Sequence, residues 1–453
     1  MSSARSGPAL RALAGLALGG LLAAGLGCER PVPRAELASR LAGLERPHVV
    51  LIVVDTLRPD LTTAYGFERD TTPELVRWAQ HGVLFEHALA QSSWTKISMA
   101  SMLSSLWPGS HGLSKFDDGL GEGALLLPEV LQQAGYKSYG VQTNGWLHSS
   151  FGFEQGFDRY VFPSGRSGGA PTLPEASLWP HADRVFEETE RILDAHPPDQ
   201  PMFLYLHLMD VHEYGAPPEF RTYGGDERGH YQAAVRWVDS LLERVRKELD
   251  ARGLLDRTLL VLASDHGESF GENGGVGHAR HVFTPILRVP LVIRLPFAVE
   301  PIRVSQQVRN LDLAPTLLEL CGVPIPASFE GESLLPLVTG AAQEAGDRVN
   351  LAATGPPLYP GAMVQRSITD GRWTYARNVA HDPEHREFLF DRSVDPGEDV
   401  NLVAREPETA ARMRARLEAG GGAAPPPGVR RPQVRIEPSI AERLRAMGYV
   451  EQE

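Results

Sequence analysis

Two apolar runs, far apart in the chain, each end in side chains that can bind a metal ion. Residues 258–271, TLLVLASDHGESFG, pass from an apolar stretch to Asp265 and His266, and residues 48–58, HVVLIVVDTLR, pass to Asp55. Such runs predict strands buried on both faces, and parallel strands bring their carboxyl ends to one edge of a sheet. Carboxylate oxygens beside an imidazole suit a divalent cation. A solvated turn is the alternative for one strand alone, but the pair favours a metal site.

The elements that must position these side chains alternate between strand and helix patterns. Apolar residues of the longest helix recur every three or four positions, which gives one buried stripe. Besides the two runs above, strands are predicted at 83–90, 136–143, 202–209 and 289–295, and helices at 72–82, 98–107, 127–135, 182–196, 229–253 and 311–321. This alternation predicts an α/β fold with a doubly wound, mostly parallel sheet flanked by helices.

The pattern changes beyond about residue 345 to short strands. Residues 363–377, MVQRSITDGRWTYAR, place Asp370-Gly371 between two short strands, which is a hairpin signal. We therefore predict a smaller C-terminal subdomain with an antiparallel sheet. The expected division is an α/β catalytic domain at 47–345, the subdomain at 346–419, and a linker with a terminal helix at 420–453.

Residues 1–28 are predicted to be an export signal rather than part of the fold. Arg5 and Arg11 precede the apolar run 12–26, which is short for a membrane span and is followed by Gly27-Cys28. Small residues before a cysteine resemble a bacterial lipoprotein signal, which predicts a periplasmic or cell-envelope protein with a membrane anchor at Cys28. Plain secretion and an uncleaved anchor are alternatives, because Gly25 replaces the usual leucine. Residues 29–46 are then expected to be a polar tether.

Composition argues against nucleic acid as the main partner, and the predicted signal bears on the role of the second cysteine. The 453 residues carry a net charge of -13, which argues against nucleic acid because phosphate binding needs a basic surface. With Cys28 lipidated, Cys321 has no partner for an intramolecular disulfide. Its place in the apolar helix 311–321 predicts a buried side chain rather than a nucleophile.

Six motifs spread along the chain are informative together. They are VVLIVVDTLRPD (49–60), TTPELVRWAQHGVLFEHALAQSSWT (71–95), SDHGESFGE (264–272), RVPLVIRLP (288–296), LDLAPTLLELCGVPIP (311–326) and FLFDRSVDPGEDVNL (388–402). These motifs resemble the sulfatase family, within the alkaline-phosphatase-like superfamily, over about residues 48–402, and are consistent with a bacterial member. The resemblance implies a doubly wound α/β domain, a small C-terminal sheet, and ester hydrolysis assisted by a divalent metal.

The nucleophile segment departs most from the family pattern. Where the family has Cys/Ser-x-Pro-Ser-Arg, residues 95–99 read TKISM, so Thr95 replaces the residue that is converted to formylglycine. We expect no formylglycine here. A plain threonine lacks the second hydroxyl that expels sulfate, whereas a metal-activated threonine suits phosphoryl transfer. The alternatives are that Thr95 only caps the helix predicted from Ser98, or that Ser98 is the nucleophile.

The resemblance also implies a metal shell of Asp55, Thr95, Asp265 and His266. Thr56 stands where the family often has a second acid, so one ligand is lost or weakened. These ligands are compatible with one divalent ion, which can be Mn, Zn, Mg or Ca.

Five further side chains receive roles from the resemblance or from their place after a strand. His212 aligns with a family histidine that contacts the transferred group or protonates the leaving group. His278 stands where sulfatases have a lysine against the transferred group. Asn144 and Lys96 are expected to bind substrate, Lys96 in place of the missing arginine. His207 is either a substrate-binding residue or a hydrogen-bonded core histidine.

Two functions are compatible with this sequence. The first is a metal-dependent hydrolase or transferase of phosphate or sulfate esters, with phosphate chemically favoured, acting on a small-molecule, glycan or lipid substrate. The second is a catalytically degenerate protein that binds a sulfated or phosphorylated glycan or lipid, as the lost proline and arginine would allow. The loops expected to set specificity have no readable signature.

Overall fold

The computed structural model describes residues 30–163, 182–342, 348–355, 364–379, 387–420 and 425–446. The predicted export signal and Cys28 lie outside these residues. The strands β1 to β16 are His48–Val54, Gly82–Leu89, Gly119–Leu120, Lys137–Gln142, Arg159–Val161, Met202–Leu208, Thr258–Ala263, Ser269–Phe270, Val276–Gly277, Arg288–Arg294, Ile302–Arg309, Asn350–Ala353, Gln365–Thr369, Trp373–Asn378, Glu387–Asp391 and Arg430–Arg431. The helices α1 to α12 are Leu37–Ala42, Pro73–Gln80, Thr95–Ser104, Pro108–His111, Leu127–Gln133, Ala182–Ala195, Glu227–Ala251, Thr284–Leu287, Leu313–Leu320, Leu335–Thr339, Pro407–Gly420 and Pro438–Ala446.

An eight-stranded sheet forms the centre of the fold, in the order β11-β2-β10-β7-β1-β6-β4-β5. Its neighbouring strands are parallel except at β10, which runs antiparallel to both β7 and β2. Parallel pairing of β1 with β6 and β7 brings the carboxyl ends of these strands to one edge. The predicted mostly parallel α/β sheet is confirmed.

Helices cover both faces of this sheet, which explains the continuous apolar runs. Every residue of β1 is buried, and alternate residues belong to two separate hydrophobic clusters. The cluster containing Leu51 includes residues of α3, α5 and α9, whereas the cluster containing Ile52 includes residues of α2, α6 and α7. A strand buried on both faces has no polar alternation, as the sequence predicts.

A four-stranded antiparallel sheet, β12-β13-β14-β15, follows the central sheet in the chain. Its hairpin at Asp370-Gly371 is as predicted, with Thr369 opposite Thr374. One face packs against α11 through a cluster that includes Tyr375 and Met413. The small antiparallel sheet is thus confirmed, while the exact domain boundaries stay a prediction.

Several local predictions differ from the structure. Residues 29–46 are expected to be a tether, but α1 lies within them and buries Leu37 and Leu41 in the main cluster. Helix α3 begins at Thr95 instead of Ser98. Helix α2 ends at Gln80, and Gly82 begins β2 instead of closing the helix. Among the described residues, none of the helices combines the length and apolar character that crossing a membrane requires.

Candidate active site

The ends of β1 and β7 place two carboxylates at the same level of the sheet. Val53 lies opposite Ala263 in the parallel register, so Asp55 and Asp265 each stand two residues beyond that pair. Both carboxylates and the His266 imidazole are completely buried. The His266 Nε2 atom lies 3.3 Å from Asp265 Oδ2 and 3.9 Å from Asp55 Oδ1. The predicted meeting of these distant segments therefore occurs.

Thr95 joins this cluster as the first residue of α3. Its hydroxyl donates to Asp55 Oδ2 at 3.3 Å and lies 3.3 Å from His266 Nε2. The residue that precedes the helix is Trp94, and no side chain caps this helix end. The alternative that Thr95 only caps the helix is therefore wrong. Ser98 instead donates its hydroxyl hydrogen bond to the main-chain oxygen of Asp265 at 2.6 Å.

Asn144 and His207 hold the Asp55 carboxylate in place. The Asn144 amide donates to Asp55 Oδ2 at 2.8 Å, and its own carbonyl accepts the Trp146 main-chain N–H at 2.8 Å. His207 Nε2 lies 3.1 Å from the same oxygen, with Tyr205 Oη 2.9 Å from its Nδ1. A carboxylate facing Nε2 at this distance makes Nε2 the protonated nitrogen, so the Tyr205 hydroxyl donates to Nδ1. Both residues lie in the cluster, and their contact with substrate stays a prediction.

The donor set fits one divalent ion. Asp55 Oδ1 and Asp265 Oδ2 are buried and have no hydrogen-bond partner among the described residues. His266 Nδ1 lies 3.0 Å from the Gly267 carbonyl, which fixes the proton there and leaves the Nε2 lone pair facing these oxygens. Ligand atoms of Asp55, His207 and Asp265 also lie within 4.8 Å of one another. His207 Nε2 is already a donor to Asp55, so the predicted set of Asp55, Asp265, His266 and Thr95 stays the candidate ligand set for an ion.

Burial and mutual charge perturb these groups strongly. Burial alone would raise the pKa of Asp55, but the His207 hydrogen bond and the neighbouring imidazoles lower it below the usual carboxyl range. Burial and then the charge of Asp55 raise the pKa of Asp265. Burial opposes ionisation of His266, yet the two carboxylates raise its pKa. Two buried carboxylates that oppose each other's ionisation are both charged only when a cation offsets the repulsion; otherwise one of them takes up a proton.

Three imidazoles form a row at one side of the cluster. The His278 ring lies 4.8 Å from the His266 ring and 4.8 Å from the His212 ring, measured between centroids. Burial lowers the pKa of His212, against the opposing charge of Asp55. His278 Nδ1 lies 3.4 Å from both carboxylate oxygens of Glu268, a buried acid that the sequence reasoning missed. Its only sequence signal is its position two residues after His266.

Lys96 occupies an aromatic box. Its ammonium donates to the Phe116 carbonyl at 2.7 Å and lies over the rings of Trp94, Trp146 and Phe151, 3.9 Å from the last centroid. Burial lowers its pKa to about 7. These contacts serve core packing, and the predicted contact of Lys96 with substrate stays a prediction.

Thr56 has a strained backbone beside the cluster. Its φ angle is 60°, a left-handed conformation that β-branched residues rarely adopt. Its main-chain N–H donates to Asp265 Oδ1 at 3.2 Å, and its carbonyl accepts the Tyr231 hydroxyl at 2.8 Å. These two bonds hold the strained backbone in place, and the first of them also fixes Asp265.

Comparison with known proteins agrees with the geometry. The family model described as Sulfatase matches residues 47–323, and the one described as N-sulphoglucosamine sulphohydrolase, C-terminal, matches residues 271–419. An ulvan-active sulfatase of Formosa agariphila is 26% identical over 404 residues, covering 80% of this chain and 78% of that protein. A putative sulfatase from Bacteroides thetaiotaomicron has the same fold, with a TM-score of 0.69, 19% identity and coverage of 83% and 92%. The phosphonate monoester hydrolase of Agrobacterium radiobacter has a TM-score of 0.68, 19% identity and coverage of 83% and 96%.

Proposed function

The chain belongs to the sulfatase family, and on that premise we propose that it is an ester hydrolase or transferase whose nucleophile is Thr95. Sulfatases are ester hydrolases that depend on a divalent metal. The observation that carries the proposal is the place of the Thr95 hydroxyl, 3.3 Å from both Asp55 and His266 in a completely buried cluster. A hydroxyl held beside a carboxylate and an imidazole that could both ligate an ion is in the position that a metal-activated nucleophile requires.

The residues supply a complete displacement path. A divalent ion of the Mn, Zn, Mg or Ca type would lower the pKa of the Thr95 hydroxyl and offset charge on the transferred group. Asp55 Oδ2 accepts the Thr95 hydrogen bond and directs an oxygen lone pair towards the ester. Attack forms a Thr95 ester as the hydroxyl proton passes to Asp55 Oδ2. The bond to the leaving oxygen breaks, and this oxygen takes a proton from the imidazolium form of His212, which the Asp55 charge favours against burial. Water or an acceptor alcohol then displaces Thr95 from the transferred group.

His278 is assigned to the charge on the transferred oxygens. Its ring stacks on His266, lies tilted against His212, and has the Glu268 carboxylate at 3.4 Å. Glu268 orients the ring through this contact, and the imidazole can then donate a hydrogen bond that stabilises the equatorial oxygens in the transition state.

We propose phosphate over sulfate as the transferred group. Thr95 has no second hydroxyl with which to expel sulfate from the covalent ester, whereas water can displace a phosphoryl group from it. The same fold is found in the phosphonate monoester hydrolase of Agrobacterium radiobacter, which acts on a related phosphorus ester. The substrate is proposed to be a small-molecule, glycan or lipid ester that meets the enzyme in the cell envelope, where Cys28 would anchor it.

Mass spectrometry of the active-site peptide tests the proposal. The protein is incubated with an aryl phosphate, a phosphodiester and an aryl sulfate, and quenched in acid. We expect a phosphoryl group on Thr95, and no turnover in Thr95→Ala. Ser104→Ala, which removes another buried hydroxyl of α3 that donates to the Ala100 carbonyl at 2.6 Å, should keep activity.

Undiminished turnover in Thr95→Ala would exclude this site. If the protein cleaves no ester in the panel and keeps no ion after dialysis, a binding function for a sulfated or phosphorylated glycan or lipid becomes the better account.

A further inference from the structure

A second polar cavity lies between the outer strands of the central sheet and the loops of the small sheet. Its volume is about 490 Å³, which suits one sugar-sized ligand. Its lining includes His87 of β2, Arg288 of β10 and Gln307 of β11, together with Gly371 and Arg392 from the small sheet's loops. None of these residues has a role in the proposed reaction.

Two of the lining arginines have only neutral acceptors. Arg288 donates to the Glu86 carbonyl at 3.0 and 3.3 Å. Arg392 donates to Gln307 Oε1 at 2.9 Å and to the Asp370 carbonyl at 3.3 Å. Across the described ranges, no ion pair involves either guanidinium. The cavity wall therefore contains cationic groups whose charge is not met by a carboxylate at contact distance.

The other charged groups around the cavity do not cancel this charge. Arg348 also lines it and is already paired with Asp312 at 3.2 Å. The charges of Glu398 and Asp370 act on Arg392 without an ion pair. The Glu398 carboxylate is buried and accepts the Thr284 N–H and hydroxyl at 2.8 and 2.6 Å, and Asp370 pairs with Arg416 at 3.2 Å. Burial, and next the charges of Arg288 and Arg392, lower the pKa of His87. Arg288 and Arg392 therefore keep guanidinium groups on the cavity wall that no described carboxylate pairs with.

We propose that this cavity binds a sulfate or phosphate group between Arg288 and Arg392. The planar guanidinium fork matches the oxygens of such groups in paired hydrogen bonds. In β10, Leu291 lies opposite Ala263 of β7, so Arg288 stands three residues further towards the edge that carries Asp265. The group is either a second acidic substituent of the substrate or a free inorganic anion. The substrate version rests on the proposed function.

Calorimetry with chelated protein tests the site without any need for activity. Inorganic sulfate and phosphate are titrated in EDTA, where Asp55 and Asp265 repel anions from the active site. We expect one metal-independent binding event, weakened about 10- to 100-fold in Arg288→Met and in Arg392→Met, as for loss of a charged hydrogen-bond pair. Arg303→Met is the control, because Arg303 lies in β11, pairs with Glu86 at 2.8 Å and does not line the cavity.

A gain-of-charge variant covers the case in which an arginine variant fails to fold. Gly371 lines the cavity, and a Cβ atom added to it would have no other atom within 4 Å. Its φ angle is outside the left-handed region, so its backbone accepts a side chain. Gly371→Asp should fold and weaken anion binding by charge repulsion. Absence of metal-independent binding in the wild-type protein overturns the proposal. So does wild-type affinity in all folded cavity variants.

Kinetic measurements distinguish a second acidic substituent of the substrate from a free inorganic anion in this cavity. If the site holds a second substituent, Arg288→Met raises KM about 10- to 100-fold for an ester with a second sulfate or phosphate and leaves KM for a singly charged aryl ester unchanged. If it holds a free anion, both KM values stay unchanged while the calorimetric binding is lost. Equal loss of kcat for both esters would overturn the assignment, because it would make Arg288 a support of the catalytic cluster. Failure of the proposed function leaves the calorimetric result intact.

Discussion

The negative charge of Asp265 should destabilise the metal-free protein, through repulsion from Asp55, and stabilise the metal-bound protein. Replacing Asp265 by asparagine should separate these two effects. The carbonyl oxygen of the introduced amide would keep both main-chain hydrogen bonds that Asp265 Oδ1 now accepts, from Thr56 and His266. What changes is the charge on the oxygen that has no partner. In EDTA, Asp265→Asn removes repulsion from Asp55, so its melting temperature should equal or exceed that of the wild-type protein.

With metal present, the wild-type protein should have the higher melting temperature of the two. An ion at about 100 times its dissociation constant stabilises the native state by about 2.7 kcal/mol. At about 2.1 cal/mol/K per residue, the unit Pro31–Glu453 should then melt about 3 °C higher. Asp265→Asn should lose this rise, because it removes one of the two carboxylates available to the ion.

The assay is a set of thermal melts in EDTA and in Mn, Zn, Mg and Ca, followed by circular dichroism. Asp239→Asn is the matched control, since Asp239 is also buried but lies in α7, away from these ligands. It should keep the full metal-induced rise. A full rise in Asp265→Asn, or none in the wild-type protein with any of the four ions, would refute the assigned ligand set.

Three other predictions address the fold. Leu37→Ala should destabilise the protein by about 2–5 kcal/mol in urea titration, whereas an unpacked tether would show no change. Burial raises the pKa of Asp239 to about 7, so this group's contribution to stability is present near pH 4 and is lost as the pH rises through 7. The stability of Asp239→Asn relative to wild type should therefore increase over that interval, and parallel curves for both proteins would contradict this. Burial raises the pKa of the Cys321 thiol to about 12, so it should react with a disulfide reagent only after unfolding, and rapid native labelling would be incompatible with its packing.

The sequence predicts strands well where helices cover both faces of the sheet. Strands β1 and β7 are continuous apolar runs because both faces are covered, and Asp55 and Asp265 follow directly from where they end. Strand β11, with the sequence IRVSQQVR, was not predicted. It is an edge strand with alternating burial and an irregular register between Val304 and Gln307, so its polar residues obscure the strand pattern.

In the candidate site too, some contacts follow from the sequence and others depend on the order of the strands. The resemblance places Thr95 beside the strand-end ligands, and the structure brings them within hydrogen-bond distance. The sequence does not reveal that Asn144 and His207 meet on one oxygen of Asp55, because this depends on the order of β4, β6 and β1 in the sheet. Nor does spacing show that the Lys96 ammonium turns into an aromatic box, since its rings come from separate segments.

The left-handed backbone at Thr56 would allow one substitution there to change the net charge of the Asp55–Asp265 cluster. Aspartate adopts this conformation far more readily than threonine does, so the backbone at position 56 already suits an acid. With Asp55 and Asp265 alone, a bound dication is neutralised, and an anionic ester meets no excess negative charge. We expect aspartate at position 56 to bind such an ion more tightly and to leave the loaded centre with a net negative charge. Metal retention would then rise while the attraction of an anionic ester would fall.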